Sequence, residues 1–337
     1  MKGEARPPSV DGVTRDREGL ALCALSALGF GAMAVLAKLA YGEGVGVLEL
    51  LAVRFVVAAS VLGSLARREL PRGRAAARGL ALGAVVYAAE AGLFFASLTR
   101  MGAAPAELLL YAYPSLVVLG AVALRRERGS GRKVGALLLA SAGVGLVLLG
   151  AGAGSVDPLG AALALASAAA YAGYILLADA IRLPPRALAA LVCAGAAVSF
   201  TLAGAVSGTL ALDWSPAGWA LVVGIAVAST VVPLTAFLAG MERIGPGRAS
   251  ILSTLEPPVT VGLAFLAFGE TLGPLQLAGG ALVLAAVAVL QVRRGAPQEP
   301  TKVPSRSPAS ARSVGRSSPA GWAAKKSPST PSTAPSA

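Results

Sequence analysis

Two acidic residues lie in the middle of long apolar segments of the sequence. Glu256 is followed directly by Pro257 and Pro258, and the run 250–269 around it contains no other charged residue. Glu90 lies in a similar setting, within VVYAAEAGLFF. An apolar environment disfavours the ionised form of a carboxyl, so such a group can exchange a proton or pair with a cation. These residues are the first candidates for chemistry.

The two prolines indicate that the helix carrying Glu256 is bent. Proline has no amide hydrogen, so carbonyls near Ser253 and Thr254 lose their partners within the helix. Free carbonyls that face a cavity can bind a substrate, and nearby hydroxyl groups can also satisfy them. We therefore predict a kinked helix that lines a polar path. The alternative role for Glu256 is a protonated or hydrogen-bonded joint between helices.

A second set of polar and aromatic residues lies in neighbouring apolar segments. Arg54 can attract an anionic carboxylate or neutralise Glu90, and bonding to Arg54 is the structural alternative for Glu90. Glu107, Tyr111 and Pro114 share one helix face by their spacing. The tyrosines suit a substrate with an aromatic part, although each can serve equally in packing. The predicted substrate or proton pathway comprises Glu90, Glu256, Arg54, Glu107, Tyr87, Tyr111, Tyr113 and Tyr171, and the predicted kinks lie at Pro114, Pro257 and Pro258.

The composition predicts that most of the chain lies in a membrane. Of the 337 residues, 55% are hydrophobic and 14% are charged, and the mean hydropathy is +0.72. Soluble domains have about 25% charged residues. An α-helix crosses the ~30 Å hydrocarbon layer in about 20 residues, and ten apolar segments have about that length. They are 19–41, 47–66, 79–99, 103–124, 132–150, 158–178, 186–207, 216–240, 247–268 and 272–292.

The spans are predicted to be helices rather than strands. Strands of a membrane barrel alternate polar and apolar residues, and no such alternation occurs in this sequence. The chain has no histidine and only two cysteines, Cys23 and Cys193, which lie in different spans. We therefore expect an all-α membrane protein with no catalytic residues, no metal site and no cofactor.

The distribution of basic residues predicts which ends of the spans face the cytoplasm. The outer connections contain no lysine or arginine, and Arg100 alone lies at an outer turn. The other connections are rich in arginine, and positively charged loops resist translocation. Both termini should therefore be cytoplasmic, with 1–18 as an N-terminal segment and 293–337 as a disordered, basic, Pro- and Ser-rich tail. The expected location is the cytoplasmic membrane, which the chain crosses many times.

The sequence contains an internal repeat. Pro114 aligns with Pro257 and Glu127 with Glu270, and both pairs are 143 positions apart. The two copies, 19–150 and 158–292, contain five predicted spans each. Because five is an odd number, the second copy must enter the membrane from the opposite side. Inverted repeats of this kind are typical of transporters with a binding site near the midplane of the membrane.

The pattern resembles a known family. Ten spans in a five-plus-five repeat, the segment LEPPVTVGLAFLAFGETL and its partner YPSLVVLGAVALRRE are similar to the EamA branch of the drug/metabolite transporter superfamily over about residues 19–292. The first copy has Arg126-Glu127 where this family usually has Gly-Glu, and the second has two prolines where one is usual. The resemblance implies secondary active export of a small metabolite or drug, through a cavity lined mainly by spans 1, 3, 4, 6, 8 and 9.

The expected partners are a small-molecule substrate and the lipid bilayer, with no nucleic acid, and the sequence leaves the oligomeric state open. Export can be driven by the proton gradient, with Glu90 and Glu256 as the exchanging carboxyls, or by the substrate gradient alone. The alternatives are a membrane-embedded enzyme and a receptor or scaffold. An enzyme lacks support because neither histidine nor a Gly-x-Ser-x-Gly motif occurs, and a receptor lacks a sizeable soluble domain.

Cysteine labelling in a background without Cys23 and Cys193 tests the predicted topology. Single cysteines at Thr209 and at Arg72 should react with an impermeant maleimide from opposite faces of the membrane, because the positively charged segment 67–78 stays inside. Vesicles of both orientations provide the measurement. Labelling of the two positions from the same face would contradict the inverted repeat.

Overall fold

Ten apolar helices make up the part of the chain that the computed structural model describes, residues 10–126, 130–150 and 157–291. Nine are long and apolar enough to cross a membrane, and the tenth is apolar over Pro274–Leu290. No strand occurs in these residues, so the predicted all-α membrane fold is confirmed. The helices are α1 (Val10–Gly42), α2 (Val47–Leu65), α3 (Arg74–Leu98), α4 (Ala103–Ala123), α5 (Gly131–Leu149), α6 (Pro158–Asp179), α7 (Pro185–Ser207), α8 (Pro216–Ile244), α9 (Pro246–Ser253 followed by Glu256–Phe268) and α10 (Pro274–Gln291).

Helix α1 begins well before residue 19, where its apolar span was predicted to start. The extension is polar, and ion pairs with the ends of α8 and α9 hold it. Arg248 donates to Asp16 at 2.7 Å, and Arg243 lies 3.5 Å from Glu18. Part of the predicted N-terminal segment 1–18 is therefore helical. Residues 1–9, Glu127 and the predicted tail 293–337 lie outside the described residues.

Contacts between connections show which helix ends lie at the same level. The α1–α2 connection meets the start of α8, where Ser215 donates to Glu43 at 2.7 Å. At that level Arg100 also donates to Asp157 at 3.0 Å, and this hydrogen bond lowers the pKa of Asp157 below its ordinary value. The pairs of α1 with α8 and α9 lie at the other helix ends. The described residues of the connections predicted as outer, among them Glu43, Arg100, Asp157 and Ser215, therefore come together at one end of the bundle.

Regular helix is interrupted at equivalent points in the two repeats. α4 is broken at 111–112 and α9 at 254–255, which lie 143 positions apart. In each case the next helical segment has a proline at its second position, Pro114 in α4 and Pro257 in α9. Proline is tolerated in a first turn because the amide hydrogen at that position has no partner within the helix. The prolines thus restart the helices after the breaks.

α3 and α8 contain π-helical segments, Leu82–Tyr87 and Val227–Val231. These helices are the third spans of their repeats, so the irregularity also occurs twice. Segments of this kind are often found at functional sites. Tyr87 and Thr230 lie in them.

Glycines allow α1 to pack closely against the second repeat. A Cβ atom at Gly29 would lie 2.6 Å from the carbonyl oxygen of Ala228 in α8, and one at Gly31 would lie 2.8 Å from the carbonyl oxygen of Glu256 in α9. Small residues let backbones approach in a membrane, where burial in protein and burial in lipid are equally apolar. α1 therefore lies directly against the break in α9.

Gly31→Ala should lower the thermal stability of the purified protein in detergent. The added methyl group meets Glu256 and Val259 at 2.8 Å, and overpacking costs about 1–3 kcal/mol. Gly262→Ala is the matched control, because Gly262 is exposed on α9 and a Cβ there has no neighbour within 4 Å. Equal melting midpoints for the two variants would contradict the close packing of α1 on α9.

Candidate functional site

A cavity of about 360 Å³ lies between helices of the two repeats. The six spans expected to line it, α1, α3, α4, α6, α8 and α9, all contribute residues, and α2 and α7 contribute others. The structure brings every residue of the predicted pathway to this cavity: Arg54, Tyr87, Glu90, Glu107, Tyr111, Tyr113, Tyr171 and Glu256.

Three carboxyl groups face the cavity from different helices. Glu90 in α3 and Glu107 in α4 are buried, with 9% and 6% of their surface exposed, and Glu256 in α9 is half-buried. Glu107 interacts electrostatically with both of the others. Within the described residues no group of acids is placed to hold a metal ion, so the three are spread around the wall. Binding of a proton or a cation would relieve the repulsion between ionised carboxyls.

Arg54 brings a positive charge to the same cavity. Only 2% of its surface is exposed, and its Nε donates to Thr230 Oγ1 at 2.9 Å. The guanidinium carbon lies 4.7 Å and 5.0 Å from the ring centroids of Phe55 and Phe95. Aromatic faces attract cations, so this charge is held by two rings and a hydroxyl group. The hydroxyl of Thr230 in turn donates to the carbonyl of Ile225 at 2.9 Å.

Tyrosine rings form a continuous row around the cavity. Ring centroids are 5.7 Å apart for Tyr111 and Tyr113, 4.6 Å for Tyr113 and Tyr171, 5.9 Å for Tyr171 and Tyr174, and 5.0 Å for Tyr174 and Tyr87. The row crosses from α4 to α6 and then to α3. It offers aromatic faces and hydroxyl groups along one continuous surface.

Tyr111 connects the broken regions of α4 and α9. Its hydroxyl oxygen lies 2.7 Å from the carbonyl oxygen of Ser253 and 2.9 Å from Oε2 of Glu256. Pro257 lacks the amide hydrogen that would otherwise bond this carbonyl within the helix, so the tyrosine supplies the missing partner. Pro258 is exposed on the same helix.

Charged residues close the bundle at the end of α1. Lys38 Nζ donates to the carbonyl of Met101 at 2.9 Å and lies 3.6 Å from Glu270. The Glu270 carboxylate also accepts from the amides of Ala103 and Ala104, both at 3.2 Å, and so caps the start of α4. The cavity extends in the opposite direction, to the first turns of α7.

Two parts of this site were missed by reasoning from the sequence. Lys38 is not among the residues of the predicted pathway, whereas the structure pairs it with Glu270. Thr230 was not singled out, although Ser229 and Thr230 form a polar pair within an apolar span. This polar pair was the signal in the sequence that could have indicated Thr230 as a site residue. Its partner Arg54 lies far away in sequence, so only the folded chain shows the hydrogen bond.

The comparison with known families agrees with this geometry. A model of the EamA-like transporter family matches the chain twice, over residues 17–149 and 158–292. The chain belongs to this family. The two matches show the two-repeat architecture, with five of the helices in each copy.

Individual relatives are similar over part or most of the chain. The chain is 33% identical over 217 residues to a Bacillus subtilis (strain 168) protein named uncharacterized transporter YcbK, which covers 60% of this chain and 68% of that protein. An Archaeoglobus fulgidus protein, also named an uncharacterized transporter, is 39% identical over 71 residues, 21% of this chain and 26% of its own length. A crystal structure with 20% identity and a TM-score of 0.59 covers 81% of this chain and 96% of its own chain, and shows the same fold. The family and these names point to a membrane transporter rather than an enzyme.

Thr230→Val should destabilise the protein, because Arg54 would lose its hydrogen-bond acceptor. A buried donor without a partner costs roughly 1–3 kcal/mol, and more when it is charged. Thr235→Val is the matched control in the same helix, since its hydroxyl bonds carbonyls of α8 itself, those of Val231 and Val232. Thermal unfolding in detergent should give the lower midpoint for Thr230→Val. Similar midpoints would show that Thr230 does not hold Arg54.

Proposed function

We propose that this protein is a secondary active transporter that moves a small metabolite or drug across the cytoplasmic membrane by alternating access. The observation that carries the proposal is the cavity between the repeats, which three carboxyls, one guanidinium and a row of tyrosines line. In transporters with inverted repeats, the two halves exchange conformations to open a midplane site to one side and then to the other.

Export, with both termini in the cytoplasm, fits the direction in which the cavity extends. The cavity reaches Pro185 and Leu188 in the first turns of α7, close to Arg182 and Arg186 in the sequence. Arginine-rich connections stay in the cytoplasm. In this orientation the cavity faces the cytoplasmic substrate, while the contacts of Glu270 close the outer side.

The charges of the cavity favour a small organic cation. Three carboxyls face one guanidinium, and Arg54 already has two aromatic rings and a hydroxyl as partners. A protonated amine can pair with a carboxyl and can also lie over a tyrosine face. The row of tyrosines supports a substrate with an aromatic or otherwise apolar part.

Proton exchange at Glu90 and Glu256 would couple this transport to the proton gradient. A carboxyl removed from water binds a proton on the acidic side of the membrane and releases it when a cationic substrate takes its place. Arg54 and the tyrosines provide the remaining walls of the site.

Glu90→Gln and Glu256→Gln should abolish acceleration of transport by a pH gradient, because glutamine cannot release a proton. A thermal-shift screen of amines, amino acids and nucleobases identifies a ligand, and counterflow of that ligand in proteoliposomes provides the measurement. Glu69→Gln, at an exposed position between α2 and α3, is the control and should keep the acceleration.

Two results would count against the proposal. Acceleration that persists in both cavity variants would show that these carboxyls do not exchange the proton. Absence of counterflow for every ligand that stabilises the wild-type protein would contradict transport itself.

A further inference from the structure

We propose that Tyr111 is a positioning residue that couples protonation of Glu256 to the conformation of the break in α9. The proposal rests on the transport function proposed above, and it adds the element that transmits proton binding to the helix. The number of hydrogens available for the hydrogen bonds around the Tyr111 hydroxyl supports it.

The Tyr111 hydroxyl has a single hydrogen and two close oxygen neighbours. They are the carbonyl oxygen of Ser253 at 2.7 Å and Oε2 of Glu256 at 2.9 Å. A carbonyl can only accept a hydrogen bond, and a phenol donates only one. Both contacts are satisfied together when Glu256 is neutral, because its carboxyl O–H can then donate to Tyr111 while Tyr111 donates to Ser253.

Loss of the proton from Glu256 leaves this arrangement one hydrogen short. If the hydroxyl turns to the carboxylate, the carbonyl of Ser253 has no partner, because Pro257 has no amide hydrogen to replace the bond. If the hydroxyl remains on Ser253, its oxygen lone pairs face the carboxylate. A buried polar group without a partner is costly. Ionised Glu256 therefore favours separation of Tyr111 from α9.

The same stretch of α9 is fixed to α1 on its other side. Thr260 Oγ1 donates to the carbonyl of Gly31 at 2.7 Å and lies 3.2 Å from the carbonyl of Glu256. Release of Tyr111 would thus separate α9 from α4 and leave its contact with α1 in place. α4 belongs to the first repeat and α9 to the second, so release changes one contact between the repeats, while the contact of α9 with α1, also of the first repeat, remains.

Other charged or titratable groups surround Glu256 and must be separated from its effect. α4 also presents Glu107 and Tyr113, which interact with Glu256 electrostatically. α10, which also packs against α9, has no titratable residue between Pro274 and Gln291. Further groups on the surrounding elements include Asp16, Glu18, Cys23 and Lys38 on α1, Glu242 and Arg243 at the end of α8, Arg248 on α9 itself, and Arg54 and Glu90 on the opposite wall.

Hydrogen exchange of the purified full chain, measured by mass spectrometry without substrate, tests the coupling. Raising the pH should make wild-type amides in 250–262 exchange roughly tenfold faster than intrinsic chemistry accounts for, as expected when a buried hydrogen bond is lost. Glu256→Gln, whose amide donates to Tyr111 at every pH, should exchange slowly throughout. In Tyr111→Phe these amides should exchange fast at every pH. If Tyr111 had only a structural role, its replacement would leave the pH effect intact.

A pair of proline variants separates coupling from general loss of structure. Pro257→Ala supplies an amide hydrogen for the carbonyl of Ser253, so Tyr111 becomes free to bond Glu256 and the pH effect should shrink. Pro258→Ala supplies one for Thr254 instead and should retain the effect.

Two further controls test other hydroxyl and carboxyl groups. Tyr41→Phe removes a tyrosine hydroxyl that donates to the carbonyl of Phe95 at 3.0 Å, and Glu107→Gln removes a neighbouring carboxyl. Both variants should retain the effect.

Retention of the full pH effect in Tyr111→Phe or Glu256→Gln would overturn the proposal, and so would identical behaviour of the two proline variants. The pair Pro257→Ala and Pro258→Ala decides the question even if Tyr111→Phe does not fold. Because no substrate is present, the result is independent of counterflow. Counterflow without the pH effect on hydrogen exchange would refute the coupling between Glu256 and the break in α9. The pH effect without counterflow would refute the transport function alone.

Discussion

Every backbone polar group inside a bilayer needs a hydrogen-bond partner within the protein, and the irregular parts of this structure follow from that constraint. Where the prolines remove an amide hydrogen from α9, Tyr111 from another helix bonds the carbonyl of Ser253. In α3, the carbonyl of Ala84, within the π-helical segment Leu82–Tyr87, accepts from the hydroxyl of Ser199 in α7 at 2.7 Å. Such repairs require side chains from neighbouring helices, so these two carbonyls face other helices of the bundle.

The two repeats meet this constraint in different ways. Position 111 of the first repeat corresponds to position 254 of the second, and these are Tyr111 and Thr254. Thr254 is shorter, and it donates to the carbonyl of Ile251 in its own helix at 2.6 Å. The bond across the cavity is therefore made from the first repeat to the second and is not reciprocated. A symmetric backbone architecture thus carries an asymmetric polar site.

Charge inside the cavity is arranged so that the cation is fixed and the acids remain available. Arg54 is enclosed by Phe55 of its own helix, Phe95 of α3 and the hydroxyl of Thr230 of α8. Glu90 and Glu107 come from different helices and face the same space. A fixed positive charge moderates the repulsion between carboxyls without occupying the cavity, which leaves room for a substrate.

The sequence by itself determined the helices and the inward direction of the charged residues. The predicted span 47–66 and the observed α2 (Val47–Leu65) agree closely, because the thickness of the bilayer sets the length of an apolar helix. The predicted acids, Arg54 and the tyrosines all reach one cavity, since lipid is a costly neighbour for a charge. Only the tertiary structure decided their partners. Thr230 for Arg54, Ser253 for Tyr111 and Lys38 for Glu270 lie on helices distant in sequence, and a hydrogen bond depends on distances and directions that one-dimensional spacing does not contain.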